Sequence, residues 1–302
     1  MEKYGDTVKR ILQAETDRPF VLSIAGVDPS AGAGLLSDIK TLQSQGVYGL
    51  GLASCTTVQT DEKLYHVDWQ NVETICYSLK TLCARFAIRT VKIGVMADRT
   101  MLQKILTQIH EDLPEALIVW DPVLKASSGV RFFHLTQDDL TGKNAVCWTS
   151  ILQRCHVVTP NAEEAIILCR LLGLERSSGL DTSAATLDPL MRQISRCADT
   201  AVVLKGGHLT DSPPVDTLYH FVSATQTLEV HVAGRKWKRE QKEADNALAG
   251  KHGSGCVHSS FLAAALAKGL PLPEAVVLAK DYMEQFLCTG RGNLGVHAMH
   301  HS

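Results

Sequence analysis

The chain has 302 residues, of which 45% are hydrophobic and 21% charged, so a sizeable core is available and extended disorder is excluded. Its 30 Lys and Arg residues against 32 Asp and Glu residues leave a net charge of -2, which predicts neither nucleic acid nor a membrane as a partner. The nine cysteines lack the spacing of a zinc site, and the polar start over 1–17 lacks the pattern of a secretory signal. Both observations favour reduced thiols and a cytoplasmic location.

Short apolar runs alternate with helical patterns along most of the chain. The run Phe20–Gly26 ends in glycine, as a buried strand does, and a helical pattern follows it. The apolar face of that first helix is predicted to consist of Leu35, Leu36, Ile39 and Leu42. Further strands are predicted in LGLASCTTV, TVKIG, ALIVWDP, HVVTP and TAVVLKGG, and further helices over 69–86, 99–110, 137–154, 161–173 and 187–197. This alternation predicts an α/β fold with a mainly parallel sheet and helices on both faces.

The pattern changes towards the C-terminus. Two alternating runs around SATQ, within 216–232, predict an antiparallel hairpin. A polar loop over 233–251 and two closing helices, over 254–268 and 273–287, complete the chain. No compositional break separates two domains, so we expect an N-terminal extension over 1–18, with a possible helix over 1–16, and one domain over 19–302.

The motifs with unusual residues follow the predicted strands. In an open parallel sheet, ligands bind beyond the carboxyl ends of the strands. GVDPSAGAG follows the first strand, and DPVLKASSG, TPNAEE and KGGH follow later ones. Neither the glycine fingerprint of dinucleotide-binding enzymes nor the P-loop motif occurs, which counts against a nicotinamide dehydrogenase and a P-loop enzyme.

The stretch HGSGC precedes the first closing helix. Its backbone amides, from Gly253, Ser254, Gly255 and Cys256, stand at a helix start, which suits a phosphate that carries developing charge. A thiol in a first helical turn is expected to have a pKa below about 8.5, so Cys256 is a candidate general base towards a hydroxyl group. The alternative is a buried structural thiol, the interpretation that we adopt for the other eight cysteines.

Two carboxylates and one lysine lie at further strand ends and helix starts. Asp121 ends an apolar strand and Glu164 lies in the first turn of a helix, where both could hold magnesium directly or through water. For Glu164 the alternative is a partner of the helix dipole, whereas Asp121, at a buried strand end, needs a partner in any case. Lys205 precedes two glycines and either contacts a phosphate or extends to the surface.

Seven segments in this order resemble one known family. They are SIAGVDPSAGAGLLSDIKTLQSQGVYG, TTVQT, KIGVM, DPV, TPNAEEA, KGGH and HGSGC. Together they resemble the hydroxymethylpyrimidine kinase and phosphomethylpyrimidine kinase family of thiamine biosynthesis, from residue 19 to the C-terminus. The resemblance implies a ribokinase-like three-layer α/β/α fold, ATP and Mg²⁺ as cofactors, a small pyrimidine alcohol as substrate and a homodimer.

The resemblance also implies roles for individual residues. The residues implied to bind the pyrimidine are Gly26, Ala33, Asp38, Gln59, Val95 and Val123. Those implied to contact the nucleotide phosphates are Asn161, Lys205 and Gly206, and those implied to place magnesium are Asp121 and Glu164. The anion hole is implied to be formed by Gly253, Ser254 and Gly255. Cys256 stands where other ribokinase-like enzymes have an aspartate base.

Three positions depart from the family pattern. Ala31 replaces a glycine, Ser127 replaces a lysine although Lys125 lies two residues earlier, and Lys251 replaces a threonine. The nearest alternative function is a pyridoxal or pyridoxine kinase, because Gln59 favours an aminopyrimidine without excluding a pyridine alcohol. A non-catalytic binding protein on this scaffold would be expected to lose the carboxylates or the HGSGC turn, and both are present.

Overall fold

A computed structural model describes residues 18–125, 132–174, 180–210, 214–222, 225, 227–233, 251–289 and 292–297. Within these ranges one sheet has nine strands in the order β3-β2-β1-β4-β5-β6-β7-β8-β9. The strands are β1 (Phe20–Val27), β2 (Tyr48–Gln59), β3 (Leu64–Trp69), β4 (Ile88–Ile93), β5 (Leu117–Trp120), β6 (Val157–Val158), β7 (Ala201–Leu204), β8 (Asp216–Val222) and β9 (Thr227–Ala233).

The strands from β2 to β7 in this order pair in parallel, whereas β3, β8 and β9 pair antiparallel to their neighbours. The helices are α1 (Gly34–Ser44), α2 (Val72–Cys83), α3 (Arg99–Asp112), α4 (Gln137–Leu140), α5 (Ala145–Gln153), α6 (Ala162–Leu171), α7 (Ala184–Ala198), α8 (Ser254–Ala267) and α9 (Leu272–Leu287). A 3₁₀ turn covers Gly206–His208.

Two apolar cores, one on each face of the sheet, make the fold three-layered. One core packs α2, α3, α5, α6 and α7 against the sheet, and the other packs α8, α9 and part of α1. Helix α8 is buried on nearly all sides because its sequence is apolar or small around its whole circumference. The predicted mainly parallel sheet, the helices on both faces and the C-terminal hairpin are confirmed.

Strand β3 was missed by the sequence analysis, and the helix predicted over 69–86 begins only at Val72. The reason is that β3 forms an edge of the sheet, so its side chains include exposed polar groups that obscure the strand pattern. Asn71 sets the true helix start, since its side chain accepts hydrogen bonds from the Glu73 and Thr74 amides.

The apolar face predicted for α1 was partly wrong. Leu36 is 39% exposed, whereas four polar residues of α1 are buried, namely Ser37, Asp38, Thr41 and Ser44. Three of these polar side chains make hydrogen bonds in the interior, such as the one that joins Ser44 Oγ and Tyr282 Oη at 3.0 Å. The partners of Asp38 and Ser44 lie outside α1, so periodicity does not reveal them.

The region predicted as one helix over 137–154 consists of α4 and α5, separated near Gly142, whose φ of 72° favours glycine. Most of the predicted loop over 233–251 and the predicted helix over 1–16 lie outside the described residues, so the domain division stays a prediction. None of the helices in the described ranges has the length and apolar character needed to cross a membrane.

Candidate active site

The candidate site lies at the carboxyl edge of the central parallel strands. Backbone hydrogen bonds continue past the strand ends there: the Asp121 amide donates to the Ile93 carbonyl, and the Lys205 amide donates to the Pro160 carbonyl. Asn161 and Lys205 form a single parallel bridge beyond β6 and β7. The motifs of four separate strand ends therefore meet along one edge, as the position of ligand sites in open α/β sheets predicts.

Asp121 is 1% exposed and forms the centre of this edge. Its Oδ1 accepts hydrogen bonds from Lys205 Nζ at 2.8 Å and Thr159 Oγ1 at 3.1 Å. Its Oδ2 accepts one from Ser259 Oγ, on α8, at 3.1 Å. Burial alone would raise the pKa of Asp121, but these hydrogen bonds and the nearby ammonium groups hold it below the usual value. Asp121 is therefore ionised at neutral pH.

Glu164 and Asn161 cap the start of α6 through a pair of reciprocal hydrogen bonds. The Asn161 amide donates to Glu164 Oε2 at 2.7 Å, and the Glu164 amide donates to Asn161 Oδ1 at 2.9 Å. Burial raises the pKa of Glu164 to about 7, with the Asp121 charge acting in the same direction. Glu164 therefore takes part in capping α6, and its predicted magnesium role stays a prediction.

Lys205 joins the two carboxylates. Its Nζ lies 2.8 Å from Asp121 Oδ1 and 3.8 Å from Glu164 Oε2, and its side chain is 14% exposed, so it does not extend to the surface. Burial would lower the pKa of Lys205, but the two carboxylates raise it above the ordinary value. A protonated lysine thus stands where an anionic phosphate would compete for it.

The carboxylates fit a magnesium ion. In the described part of the chain no group of three or more His, Cys, Asp or Glu side chains is placed to hold a metal. Mg²⁺, however, is usually bound by one or two carboxylates together with substrate phosphates. Asp121 and Glu164 face the same ammonium group and form such a pair of hard oxygen donors.

The turn before α8 closes the site from the other side. Gly253 caps the helix with a φ of 77°, and a Cβ atom added there would lie 2.1 Å from the Gly32 carbonyl oxygen. A Cβ atom added at Gly255 would lie 3.3 Å from Lys205 Nζ and 3.7 Å from Asp121 Oδ2. The first turn of α8, with the amides of Ser254 and Gly255, therefore lies directly against the Asp121–Lys205 pair.

Cys256 is half-buried in this first turn, where the nearby Gly34 amide favours the thiolate form. The expectation of a lowered thiol pKa is wrong: burial raises the pKa of Cys256 to about 11, and the Asp38 and Asp121 charges add to this rise. Lys92 opposes the shift without cancelling it. At neutral pH the side chain is therefore a neutral thiol, in spite of the helix N-terminus.

Asp38 was predicted in the substrate pocket, but the structure buries it completely behind Cys256. Its carboxylate accepts hydrogen bonds from Ser23 Oγ at 2.6 Å, Lys92 Nζ at 2.7 Å and Ser260 Oγ at 2.8 Å. Direct contact between Asp38 and a substrate is therefore not borne out in this structure. Lys92 was missed, although a lysine inside the apolar run TVKIG was the available signal.

Two of the residues predicted to bind the pyrimidine lie together at the ends of neighbouring strands. A Cβ atom added at Gly26 would lie 2.8 Å from both Cys55 Sγ and Val95 Cγ1, so these three residues pack tightly. Gln59 is half-buried at the end of β2, and Val123 is half-buried just after Asp121. Their roles towards a ligand stay predictions.

Two backbone amides predicted to contact ligands are already engaged. The Ala33 amide donates to Asp28 Oδ2 at 2.9 Å, and the Gly206 amide donates to Asp216 Oδ1 at 2.9 Å. These two amides are therefore not free to bind a ligand, and the roles of Ala33 and Gly206 towards a ligand stay predictions. Sequence reasoning did not single out either aspartate.

Asp28 organises the loop between β1 and α1. Besides the Ala33 amide, its carboxylate accepts hydrogen bonds from Ser30 and from His252 Nε2, each at 2.8 Å. Burial alone would raise the pKa of Asp28, but the bonds from His252 and this loop lower it to about 2. Ala31, where the family has glycine, takes a left-handed φ of 56°, which costs a non-glycine residue roughly 1 kcal/mol.

The described part of the C-terminal segment packs against the turn before α8 and against α9. The His252 amide donates to the Asn293 carbonyl at 2.9 Å, and the His297 ring lies 5.0 Å from the Phe286 ring centre.

Lys125, which lies two residues before the position where the family has a lysine, pairs with the exposed Glu163 at 3.1 Å. Ser127 and residues 298–302 lie outside the described ranges.

Comparison with known proteins agrees with this architecture. A phosphomethylpyrimidine kinase family model matches residues 28–299. The hydroxymethylpyrimidine/phosphomethylpyrimidine kinase of Rhizobium meliloti (strain 1021) is 30% identical, over 93% of this chain and 97% of the relative. The enzyme of the same name from Aquifex aeolicus (strain VF5) is 29% identical, over 88% of this chain and 93% of the relative.

Solved structures show the same fold. The phosphomethylpyrimidine kinase of Clostridium difficile 630 superposes with a TM-score of 0.65 at 24% identity, over 89% of this chain and 99% of that one. The pyridoxal kinase of Staphylococcus aureus in complex with pyridoxal gives a TM-score of 0.70 at 21% identity, over 93% of each chain. The fold is thus that of the ribokinase-like kinases. Within this class, the chain belongs to the phosphomethylpyrimidine kinase family.

Proposed function

We propose that this chain transfers a phosphoryl group from ATP to the hydroxymethyl group of 4-amino-5-hydroxymethyl-2-methylpyrimidine, in thiamine biosynthesis or salvage. A second transfer, to the monophosphate, then gives the diphosphate. The observation that carries the proposal is the placement of the Cys256 turn directly against the Asp121–Lys205–Glu164 group, in a chain of this family. One side presents amides and a thiol to an alcohol, and the other presents charges suited to a nucleotide.

Each residue has a defined part in the proposed reaction. Mg²⁺, held by Asp121 and Glu164 together with the phosphates, would neutralise part of the charge on the transferring group. Lys205 exchanges its carboxylate partners for phosphate oxygens. The Gly255 amide would stabilise the same charge from the α8 side, whereas the Ser254 amide already donates to the Lys251 carbonyl at 3.2 Å. Because the thiol is neutral at pH 7, Cys256 holds the hydroxyl group in line rather than acting as a preformed thiolate. The alcohol proton passes to an oxygen of the transferred phosphoryl group as the new P–O bond forms and the bond to ADP breaks.

Gln59 provides the test of substrate choice. We expect the purified chain to show at least about tenfold higher kcat/KM for the aminopyrimidine alcohol than for pyridoxal. Replacing Gln59 with leucine should lower kcat/KM for the pyrimidine by about 10- to 100-fold, since ring nitrogen and amino groups lose their polar partner. A coupled assay of ADP release with each substrate measures both quantities.

The matched control is Gln108→Leu, which alters another half-buried glutamine, on α3, whose side chain donates to Asp112. This variant should keep wild-type specificity. A wild-type preference for pyridoxal would replace the proposed function with a vitamin B6 kinase. Equal effects of the two leucine variants on kcat/KM would show that Gln59 does not contact the substrate.

We also propose that the protein acts as a cytoplasmic homodimer. Strand β3 is a sheet edge where Tyr65 is 62% exposed, and the neighbouring Val58 is 58% exposed. An open sheet edge with exposed apolar side chains is a template for pairing with another chain. A mass in solution of about twice the 32.9 kDa of one chain supports the dimer, and the mass of one chain refutes it.

A further inference from the structure

A buried carboxylate outside the predicted site lies next to the lysine that faces the phosphates. Asp216 is the first residue of β8 and is 3% exposed. Its Oδ1 accepts the hydrogen bond from the Gly206 amide at 2.9 Å. Gly206 directly follows Lys205, so Asp216 holds the backbone from which the Lys205 side chain extends.

Two further side chains lie against Asp216, of which Lys280 makes a hydrogen bond to it. Lys280 Nζ, from α9, lies 3.3 Å from Asp216 Oδ1, and His258 Nε2, from α8, lies 3.1 Å from Oδ2. All three side chains are nearly fully buried. Burial alone would raise the pKa of Asp216, but His258, Lys280 and the Gly206 amide lower it to about 2. The carboxylate is therefore a fixed negative charge over the physiological pH range.

The turn that Asp216 holds has little freedom of its own. A Cβ atom added at Gly206 would lie 1.9 Å from the Val215 carbonyl oxygen, so the chain packs backbone against backbone there. On its other side, the Lys205 amide donates to the Pro160 carbonyl at 2.9 Å. The direction of the Lys205 side chain towards Asp121 thus depends on anchors at both of these neighbouring positions.

His258 connects this anchor to the transfer site. It lies on α8 two residues after Cys256, and Ser259 next to it donates to Asp121. The Asp216 group thus joins the strand end that carries Lys205 to the helix that carries the anion turn. A shift of about 1 Å between such elements is enough to cost on the order of 100-fold in rate.

We propose that Asp216 is a positioning residue for phosphoryl transfer. Bonded to Lys280 and lying next to His258, it fixes the Lys205–Gly206 turn against α8 so that the Lys205 ammonium group meets the nucleotide phosphates. This inference rests on the proposed function for its kinetic effect. It concerns the nucleotide side of the site, so it predicts a defect in ATP binding that leaves pyrimidine binding unchanged.

The test is Asp216→Asn, which keeps an oxygen that can accept the Gly206 hydrogen bond but removes the charge that Lys280 and His258 face. We expect KM for ATP to rise about tenfold and kcat to fall about tenfold, with KM for the pyrimidine within about twofold of wild type. Calorimetric titration of ATP without pyrimidine should show a similar loss of affinity. Asp216→Glu should recover part of it if the longer side chain can reach the same amide.

The matched control is Asp139→Asn, since Asp139 is also 1% exposed and accepts hydrogen bonds from Trp148 Nε1 and Asn144 far from the site. Both asparagine variants should unfold at lower temperature, but only Asp216→Asn should weaken ATP binding. Equal effects on KM for both substrates, or an unchanged ATP affinity, would overturn the positioning role.

Where Asp216→Asn fails to fold, Lys280→Met offers the same readout, and unchanged ATP affinity in a folded Lys280→Met variant overturns the role. The proposed function is tested separately. Weakened ATP binding in the variant, beside a wild-type protein that does not phosphorylate the pyrimidine, would leave the inference standing and remove the proposed substrate.

Discussion

Replacing Cys256 with alanine is expected to lower kcat by about 100-fold or more while the protein remains folded. The thiol lies in the first turn of α8, where the charges of two buried ion pairs, Asp38–Lys92 and Asp121–Lys205, act on it. Removing the sulfur atom leaves the turn amides in place, but the substrate hydroxyl is no longer held in line with the phosphoryl group. Steady-state turnover with saturating pyrimidine and MgATP measures the loss, and thermal unfolding verifies the fold.

The control variant is Cys155→Ala, which removes another buried thiol, one whose Sγ donates to the Ile151 carbonyl. It should lower stability and leave kcat within about twofold of wild type. If Cys256→Ala also keeps wild-type turnover, the thiol only fills the start of α8.

The pH dependence separates positioning from proton removal. Since burial raises the pKa of Cys256 to about 11, a mechanism that needed the thiolate would make kcat/KM rise tenfold for each pH unit between 7 and 9. We expect instead that wild type and Cys256→Ala give parallel profiles at different heights. A steep rise present in wild type and absent in the alanine variant would assign proton removal to the thiol.

Replacing Lys205 with methionine is expected to have the largest combined effect on activity and stability. The change leaves Asp121 and Glu164 buried without the ammonium group between them, and breaking a buried ion pair of this kind costs about 3–5 kcal/mol. Loss of the phosphate partner should lower kcat/KM for ATP by about 1000-fold. Chemical denaturation and ATP-dependent kinetics measure the two effects.

The stability of this variant should also depend on pH with a defined sign. Burial already raises the pKa of Glu164 to about 7, and Lys205 opposes that rise, so its removal raises the pKa further. A carboxyl whose pKa is higher in the folded than in the unfolded state loses stabilising protonation as pH increases. The free energy of unfolding of Lys205→Met should therefore fall further below that of wild type as the pH increases from 6 to 8.

Lys104→Met is the matched control, because Lys104 forms an exposed ion pair with Glu73 on the surface formed by α2 and α3. An exposed pair contributes at most about 1 kcal/mol, and this variant should bind ATP normally. A Lys205→Met protein with wild-type KM and kcat for ATP would exclude Lys205 from the nucleotide site.

The layered fold could be predicted from sequence because the buried parallel strands are short apolar runs that end in glycine, proline or a polar residue. Strand β3 could not, since an edge strand pairs on one side only and carries exposed polar groups. The buried face of α1 was also beyond periodicity. Asp38 on this face is satisfied by Lys92 and Ser260, which lie more than 50 residues away.

The site motifs were easier to predict than the contacts within them. Asp121, Glu164, Lys205 and the turn before α8 meet as the positions of their motifs after successive strands suggested. The pKa values and hydrogen-bond partners of these groups were not predictable, because they depend on burial and on neighbours from distant segments. Cys256 has a raised pKa for this reason, and the amides of Ala33 and Gly206 are bound by Asp28 and Asp216.

The proposal that this site phosphorylates an aminopyrimidine alcohol is tested most directly by ³¹P NMR of the complete reaction. With the purified protein, MgATP and 4-amino-5-hydroxymethyl-2-methylpyrimidine, we expect one phosphomonoester signal to appear first and a diphosphate signal to follow as ATP is consumed. Conversion of ATP to inorganic phosphate without an organic phosphate product, or no consumption of ATP in a folded protein, would contradict the account.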